Sequence, residues 1–163
     1  MKDKISIIIP CLNEDKAIPI FYKEITKVFF NMKTNYELIF IDDGSTDNTL
    51  NVLRKLSKED KKLKYISFSR NFGKEAGMTA GLKKSTGDYV AIMDVDMQDP
   101  PYLLEEMYKE IKKEEYDIVG LYTKSHEGYS FIRNSLTKMW YKIIDKISTT
   151  PQMPGARDFR LMT

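Results

Sequence analysis

Five short apolar runs rich in β-branched residues, each parted from the next by a stretch with helical spacing, leave this 163-residue chain few folds to choose from. Residues 5–9 form a run closed by Pro10, as suits a strand buried on both faces. Residues 17–32 then place Ile18, Phe21, Ile25, Val28 and Phe29 on one helical face, and Pro19 falls in the first turn, where its missing N–H costs nothing. A second strand over 36–41 leads to a helix over 47–57 with Leu50, Leu53 and Leu56 inward and Asp47 near its positive end. Strands over 63–68, 89–93 and 117–121 alternate with helices over 73–85 and 100–111, the latter with Pro101 in its first turn. An amphipathic helix over 131–147 follows, and then a polar, turn-rich tail. This order implies right-handed crossovers and an α/β fold, a mostly parallel central sheet with helices on both faces.

The length suits a single domain, and a chain of this size buries enough surface to need no disulfides. Cys11 is the only cysteine, which fits a reducing compartment, and its setting suggests a small packing residue. With 26 basic and 24 acidic residues the formal charge is +2, so there is no electrostatic case for nucleic acid as a partner. No window approaches the 18 or so apolar residues of a membrane span, and the first ten residues do not make a signal peptide. His126 reads as loop sequence, and Trp140 and Tyr141 as core or partner-facing residues.

In open parallel sheets, ligands bind beyond the carboxyl ends of the strands. Here those ends are acidic. The first strand runs into Asn13-Glu14, the second into Asp42-Asp43, and the fourth into Asp94-Val95-Asp96-Met97-Gln98-Asp99. In extended chain Asp94 and Asp96 leave the same face, with α-carbons roughly 6.6 Å apart. Carboxylates so placed repel unless a cation lies between them, and a hard divalent ion that also bridges to phosphate answers that need. Gln98 has the same parity and offers a neutral oxygen, while Asp99 suits the N-cap of the following helix.

The segments IIIPCLNE (7–14), IDDGSTDNT (41–49), SRNFGKEAGMTAGL (69–82), DVDMQDPP (94–101) and GARDFRLM (155–162) together resemble the family 2 glycosyltransferases. Within that family they look like the polyprenyl-phosphate glycosyltransferases, the group of dolichol-phosphate mannose synthase and the bactoprenol glucosyltransferases. The resemblance spans essentially the whole chain, in order. It implies a GT-A fold and a metal-dependent, inverting transfer of a hexose from a UDP- or GDP-linked sugar to a polyprenyl phosphate. By the same resemblance Pro10, Leu12, Asn13 and Glu14 line the nucleotide, Asp42 reaches the base and Asp43 supports that loop. Asp94 and Asp96 hold nucleotide and metal diphosphate, with Gln98 completing a Mg2+ or Mn2+ site. Asn71 and Lys74, with Arg70, form a polar exit from the third strand toward the donor, and Asp158 lies near the reaction centre.

The acceptor phosphate is already anionic near neutral pH, so the task is to hold two anions together, which needs cations. Arg133 and Thr137 share one helical face, and the family places an acceptor-phosphate arginine and a hydroxyl at this spacing; Arg160 joins them. Two positions depart from the family pattern. Leu121-Tyr122-Thr123-Lys124 stands where an arginine often follows the fifth strand, and Arg157 stands where a glycine is usual. The resemblance also implies that residues 1–163 are one catalytic domain of a longer protein. That protein is expected to work at the cytoplasmic face of a membrane through segments beyond Thr163, this chain alone being soluble and cytoplasmic, with a homo-oligomer left open. Two other functions stay in view: transfer to a sugar or other hydroxyl, where Asp158 must act as a true base, and a catalytically silent nucleotide-sugar binder.

Overall fold

The computed structural model describes residues 2–122 and 155–163. The expected helix over 131–147, with Arg133, Thr137, Trp140 and Tyr141, lies outside the described residues, as do Lys124 and His126. The chain divides into two compact units, residues 1–120 with 158–163, and residues 121–157. The first unit holds nearly all of the described residues.

The elements run β1 (Lys4–Cys11), α1 (Ala17–Met32), β2 (Asn35–Asp42), α2 (Thr49–Glu59), β3 (Leu63–Ser67), α3 (Lys74–Lys84), β4 (Tyr89–Ile92), α4 (Leu103–Lys113), β5 (Ile118–Tyr122) and β6 (Ala156–Met162). The sheet order is β3-β2-β1-β4-β6-β5. Strand β1 pairs in parallel with β2 and with β4, and β2 in parallel with β3, whereas β6 runs antiparallel to β4. The last segment therefore corrects the expectation of a turn-rich tail. Phe159 and Leu161 are buried and alternate with exposed Asp158 and Arg160, the period-two pattern of a half-buried strand. Three charges in seven residues hide that pattern until a neighbouring strand supplies the pairing.

Strands β1 and β2 are buried on both faces and read as nearly unbroken apolar runs. On one face Ile8, Ile39, Ile41 and Ile92 pack with Met78 of α3. A β-carbon on Gly81 would collide with Ile8 Cγ2, so glycine there lets α3 lie close against the sheet. On the other face Phe21 of α1 meets Phe40 edge-on at 6.2 Å, and α1 packs against α2 and α4. Burying a side chain such as Phe21 or Ile25 contributes about 1.5–3 kcal/mol. Helix α1 stops where Lys33 turns left-handed (φ 54°) and returns its N–H to the Phe29 carbonyl.

At the amino ends of the strands sits a buried charge that nothing in the sequence pattern announced. Glu37 of β2 is 2% exposed. One carboxylate oxygen accepts from Ser6 Oγ (2.6 Å), Thr86 N (2.8 Å) and Thr86 Oγ1 (2.9 Å), and the other receives Lys64 Nζ at 2.6 Å and Lys4 Nζ at 3.0 Å. Burial pushes the Glu37 carboxyl up, but the bonds from Lys64, Ser6, Thr86 and Lys4 outweigh it and hold the group well below the usual carboxylate range. A depressed carboxylate stabilises the fold above its unfolded value of about 4.3 and loses that contribution as pH falls toward the folded value. Glu37→Gln is therefore expected to lower stability in urea at pH 7 by about 1–3 kcal/mol, with the gap to the parent shrinking below about pH 4. An unchanged gap at pH 3 would show that the charge is not what Glu37 contributes.

Candidate functional site

The order β2-β1-β4 makes β1 the switch point of the sheet, since the chain moves to one side through β2 and β3 and returns on the other side with β4. Register sets Cys11 beside Asp42 and Ile8 beside Ile92, so the loops after these strands leave from one edge. Asp42 and Asp43 are both buried. Asp42 accepts from Ser45 N (3.0 Å) and Ser67 Oγ (2.9 Å), so its carboxylate is spent on protein donors. Asp43 accepts from Phe72 N (2.7 Å) and Gly73 N (2.9 Å), which ties the loop after β3 to the loop after β2. Next to them Gly44 has φ +75°, and a β-carbon there would meet the Arg70 Cα and Asn71 N at 2.7 Å. Only glycine allows both that backbone and that approach.

The loop after β1 is joined to the same body. Asn13, left-handed at φ 58°, donates its N–H to Ser45 Oγ (2.9 Å), and its Oδ1 accepts from Thr46 N at 2.8 Å. Glu14 N donates to Thr49 Oγ1 at 2.8 Å. Asp47, expected near the positive end of α2, accepts from Thr49 N at 2.9 Å and from Asp15 N at 3.3 Å. Hydroxyls at Ser45, Thr49 and Ser67 thus organise the edge. None of the three is named as a site residue from the sequence: Ser45 falls in DGST, a common turn on its own, and Ser67 closes an apolar strand.

Above this framework opens a cleft of about 230 Å³ lined by Pro10, Leu12, Asp43, Asn71, Lys74 and Asp94, with Cys11 and Gly73. Burial, with Asp42 and Glu14 nearby, pushes the Cys11 thiol up to about 12, and its Sγ lies 3.3 Å from the Ile41 carbonyl. It is a packing group, not a thiolate nucleophile. Lys74 opens α3 and reaches across the cleft: its Nζ lies 2.8 Å from Asp94 and 2.7 Å from Asp158 on β6. The bond from Lys74, against an opposing effect of burial and aided by the Lys74 and Arg160 charges, holds the Asp158 carboxyl below its ordinary range. Burial works to lower the Lys74 ammonium, yet its bonds to Asp158 and Asp94 raise it overall. Arg160 lies 3.8 Å from Asp158 and is exposed.

Strand β4 ends at Ile92, so the extended-chain parity expected of Asp94 and Asp96 stops short of both aspartates. Asp96 sits in a turn, accepts its own loop's Gln98 N at 3.0 Å, and precedes a left-handed Met97 (φ 63°). Asp96 is exposed, and Gln98 stands in the same loop. The charges are still close enough to act together: burial first, then Asp96, Asp47 and Asp94, push the Glu14 carboxyl up. No three His, Cys, Asp or Glu side chains among the described residues converge to hold a metal by themselves. Asp94 and Asp96 nevertheless offer the hard carboxylate oxygens that a divalent cation takes, so the residue types present fit such an ion. Of the donor-site residues named from sequence, Pro10, Leu12, Asp43, Asn71, Lys74 and Asp94 come together at the cleft, Asn13 and Glu14 follow Leu12 in the same loop, and Asp42 is buried next to Asp43.

Comparison with known proteins adds a second line. The Glycosyl transferase family 2 profile matches residues 6–162. A Bacillus subtilis protein named as a putative glycosyltransferase, CsbB, is 43% identical over 159 residues, 98% of this chain and 48% of its own. The bactoprenol glucosyl transferase of Shigella phage SfX is 36% identical over 160 residues, 98% of this chain and 52% of its own. The chain thus spans about half the length of the curated relatives it matches. Among solved structures, the mannosyltransferase PcManGT of Pyrobaculum calidifontis, in complex with GDP-Man and Mn2+, superposes with a TM-score of 0.68 at 18% identity, covering 99% of this chain and 45% of that one. That likeness speaks to the fold alone. Among the described residues no helix is long and apolar enough to cross a membrane.

The Asp43 bonds carry a direct expectation. Asp43→Ala leaves the Phe72 and Gly73 amides without that acceptor, and their hydrogen exchange should accelerate on the order of tenfold or more while the Glu37 end of the sheet keeps its protection. Uniform acceleration across the sheet would mean that Asp43 supports the fold at large, not this loop.

Proposed function

This chain belongs to glycosyltransferase family 2, and from that premise we propose that it transfers a hexose from a nucleotide-diphosphate sugar to a polyprenyl phosphate, with inversion at the sugar carbon. The observation that carries the proposal is the single cleft in which Pro10, Leu12, Asn71 and Lys74 stand beside Asp94, with Asp158 joined to Asp94 through one ammonium. Leu12, partly exposed, and Pro10 offer an apolar wall for the nucleoside; Asn71 and Lys74 offer donors to phosphate. Asp42, fully engaged with Ser45 and Ser67, acts on the nucleobase through the loop it holds. The ion that Asp94 and Asp96 would hold, with Gln98 beside them, supplies positive charge to the leaving diphosphate.

The acceptor follows from chemistry and from kinship. Relatives named bactoprenol glucosyl transferases support a lipid phosphate. Such an acceptor arrives deprotonated and asks for cations more than for a base. Asp158 is ion-paired with Lys74 and held in its charged form, which suits a residue that orients the donor sugar. Arg160 stands next to it, on the exposed side of the β6 alternation, as an acceptor-phosphate cation; the same role for Arg133 and Thr137 rests on the sequence alone. The whole protein is proposed to meet its lipid at a membrane surface.

Calorimetric titration with UDP-glucose and GDP-mannose should show one of them binding in the presence of Mn2+. Asp94→Asn and Asp96→Asn should each weaken that binding on the order of tenfold or more, as EDTA should. Absence of binding to any nucleotide sugar with metal present would overturn the proposal. With a lipid phosphate acceptor, Asp158→Asn should cost less than the roughly 10²–10⁴-fold expected for loss of a general base. A larger loss would favour a hydroxyl acceptor.

A further inference from the structure

Lys74 is placed in a way that a simple phosphate-binding lysine does not require. The backbone before it is pinned: Gly73 N is held by Asp43 and by Asn71 Oδ1, and Gly73 O accepts from Gly77 N. Its side chain is a flexible stem carrying a compact charge, about one third exposed. That charge contacts both oxygens of Asp94 at 2.8 Å and reaches Asp158 at 2.7 Å, a residue 84 positions away in sequence. Asp94 is also the carboxylate expected to take the divalent ion. Two cations cannot share it at contact distance without strong repulsion.

We propose that Lys74 is an exchangeable counter-ion: its ammonium neutralises Asp94 and Asp158 while no donor is bound, yields Asp94 to an entering divalent cation, and moves onto the donor's diphosphate. The proposal rests on the donor reading above and adds to it a competition within the site. Lys74 then opposes one ligand and favours the other. It weakens binding of the metal alone, because Asp94 must first be released, and it strengthens binding of a nucleoside diphosphate, whose oxygens offer more negative charge than a carboxylate. A lysine that merely braced the loop would help both ligands or neither.

The test is a pair of separate titrations on the full chain, Mn2+ alone and UDP alone without metal, in the parent and in Lys74→Met. The variant should bind Mn2+ about two- to fivefold tighter, the range of a partly exposed ion pair, and UDP on the order of tenfold weaker, as for a lost charge-assisted bond. A second measurement needs no variant: limited acetylation of the parent, read at Lys74 by mass spectrometry, should rise with Mn2+ alone and fall again when UDP is added. Mn2+ affinity that is unchanged or lower in Lys74→Met, or Lys74 labelling indifferent to Mn2+, overturns the exchange. If Lys74→Met does not fold, the labelling decides. Failure of the donor reading looks different: the parent then binds neither Mn2+ nor UDP, and both proposals fall together.

Discussion

Parallel pairing of β1 with β2 on one side and β4 on the other sends the acidic ends of three strands out of one edge. Like charges gathered there repel, and the structure offsets them in distinct ways. Asp42 and Asp43 are sunk into the protein and satisfied by backbone N–H groups and a serine hydroxyl. Asp94 and Asp158 share one ammonium. Glu14 feels Asp96, Asp47 and Asp94 on top of its own burial. Each acid is compensated differently: Asp43, met by two amides, holds a loop, while Asp94 and Asp158 meet the side chain of Lys74.

Rigidity at this edge comes from polar bonds between loops. Asp43 fastens the segment after β3, Asn13 and Glu14 fasten the segment after β1, and Gly44 brings the chain into contact with Arg70 and Asn71. Loops held this way keep their geometry before a ligand arrives, which lowers the entropy cost of binding. The opposite edge is held by the Glu37 cluster, which links β1, β2, β3 and the turn before β4 through one carboxylate. With both ends of β1 clamped, the cleft residues Pro10 and Leu12 inherit their positions from the sheet itself.

The relation to glycosyltransferase family 2 gives this geometry its meaning, and the geometry in turn ranks the motif residues. Asp42 and Asp43 look alike in the sequence as a pair of strand-end acids. In the fold Asp42 is buried against Ser45 and Ser67, while Asp43 lines the cleft and holds two amides. Asp96 follows Asp94 through a turn and precedes a left-handed Met97, so its place is not set by the strand pleat that the two-residue spacing first suggests.

Apolar spacing, helped by small residues at α3, placed β1 to β5 and α1 to α4 to within a few residues; it is plainest in β1, β2 and α1, whose buried faces have a local period that survives in the chain as written, whereas α3 buries only Gly77 and Gly81. The acidic strand ends were equally legible, since parallel α/β topology dictates where they must emerge. The pairing of Asp158 with Asp94 through Lys74 was not, nor was the strand that carries Asp158. Ala156–Met162 is too charged to declare itself and becomes β6 only by adding antiparallel to β4, and Lys74 meets Asp158 from 84 residues away. Such contacts depend on long-range pairing in three dimensions, for which the local sequence holds no signal.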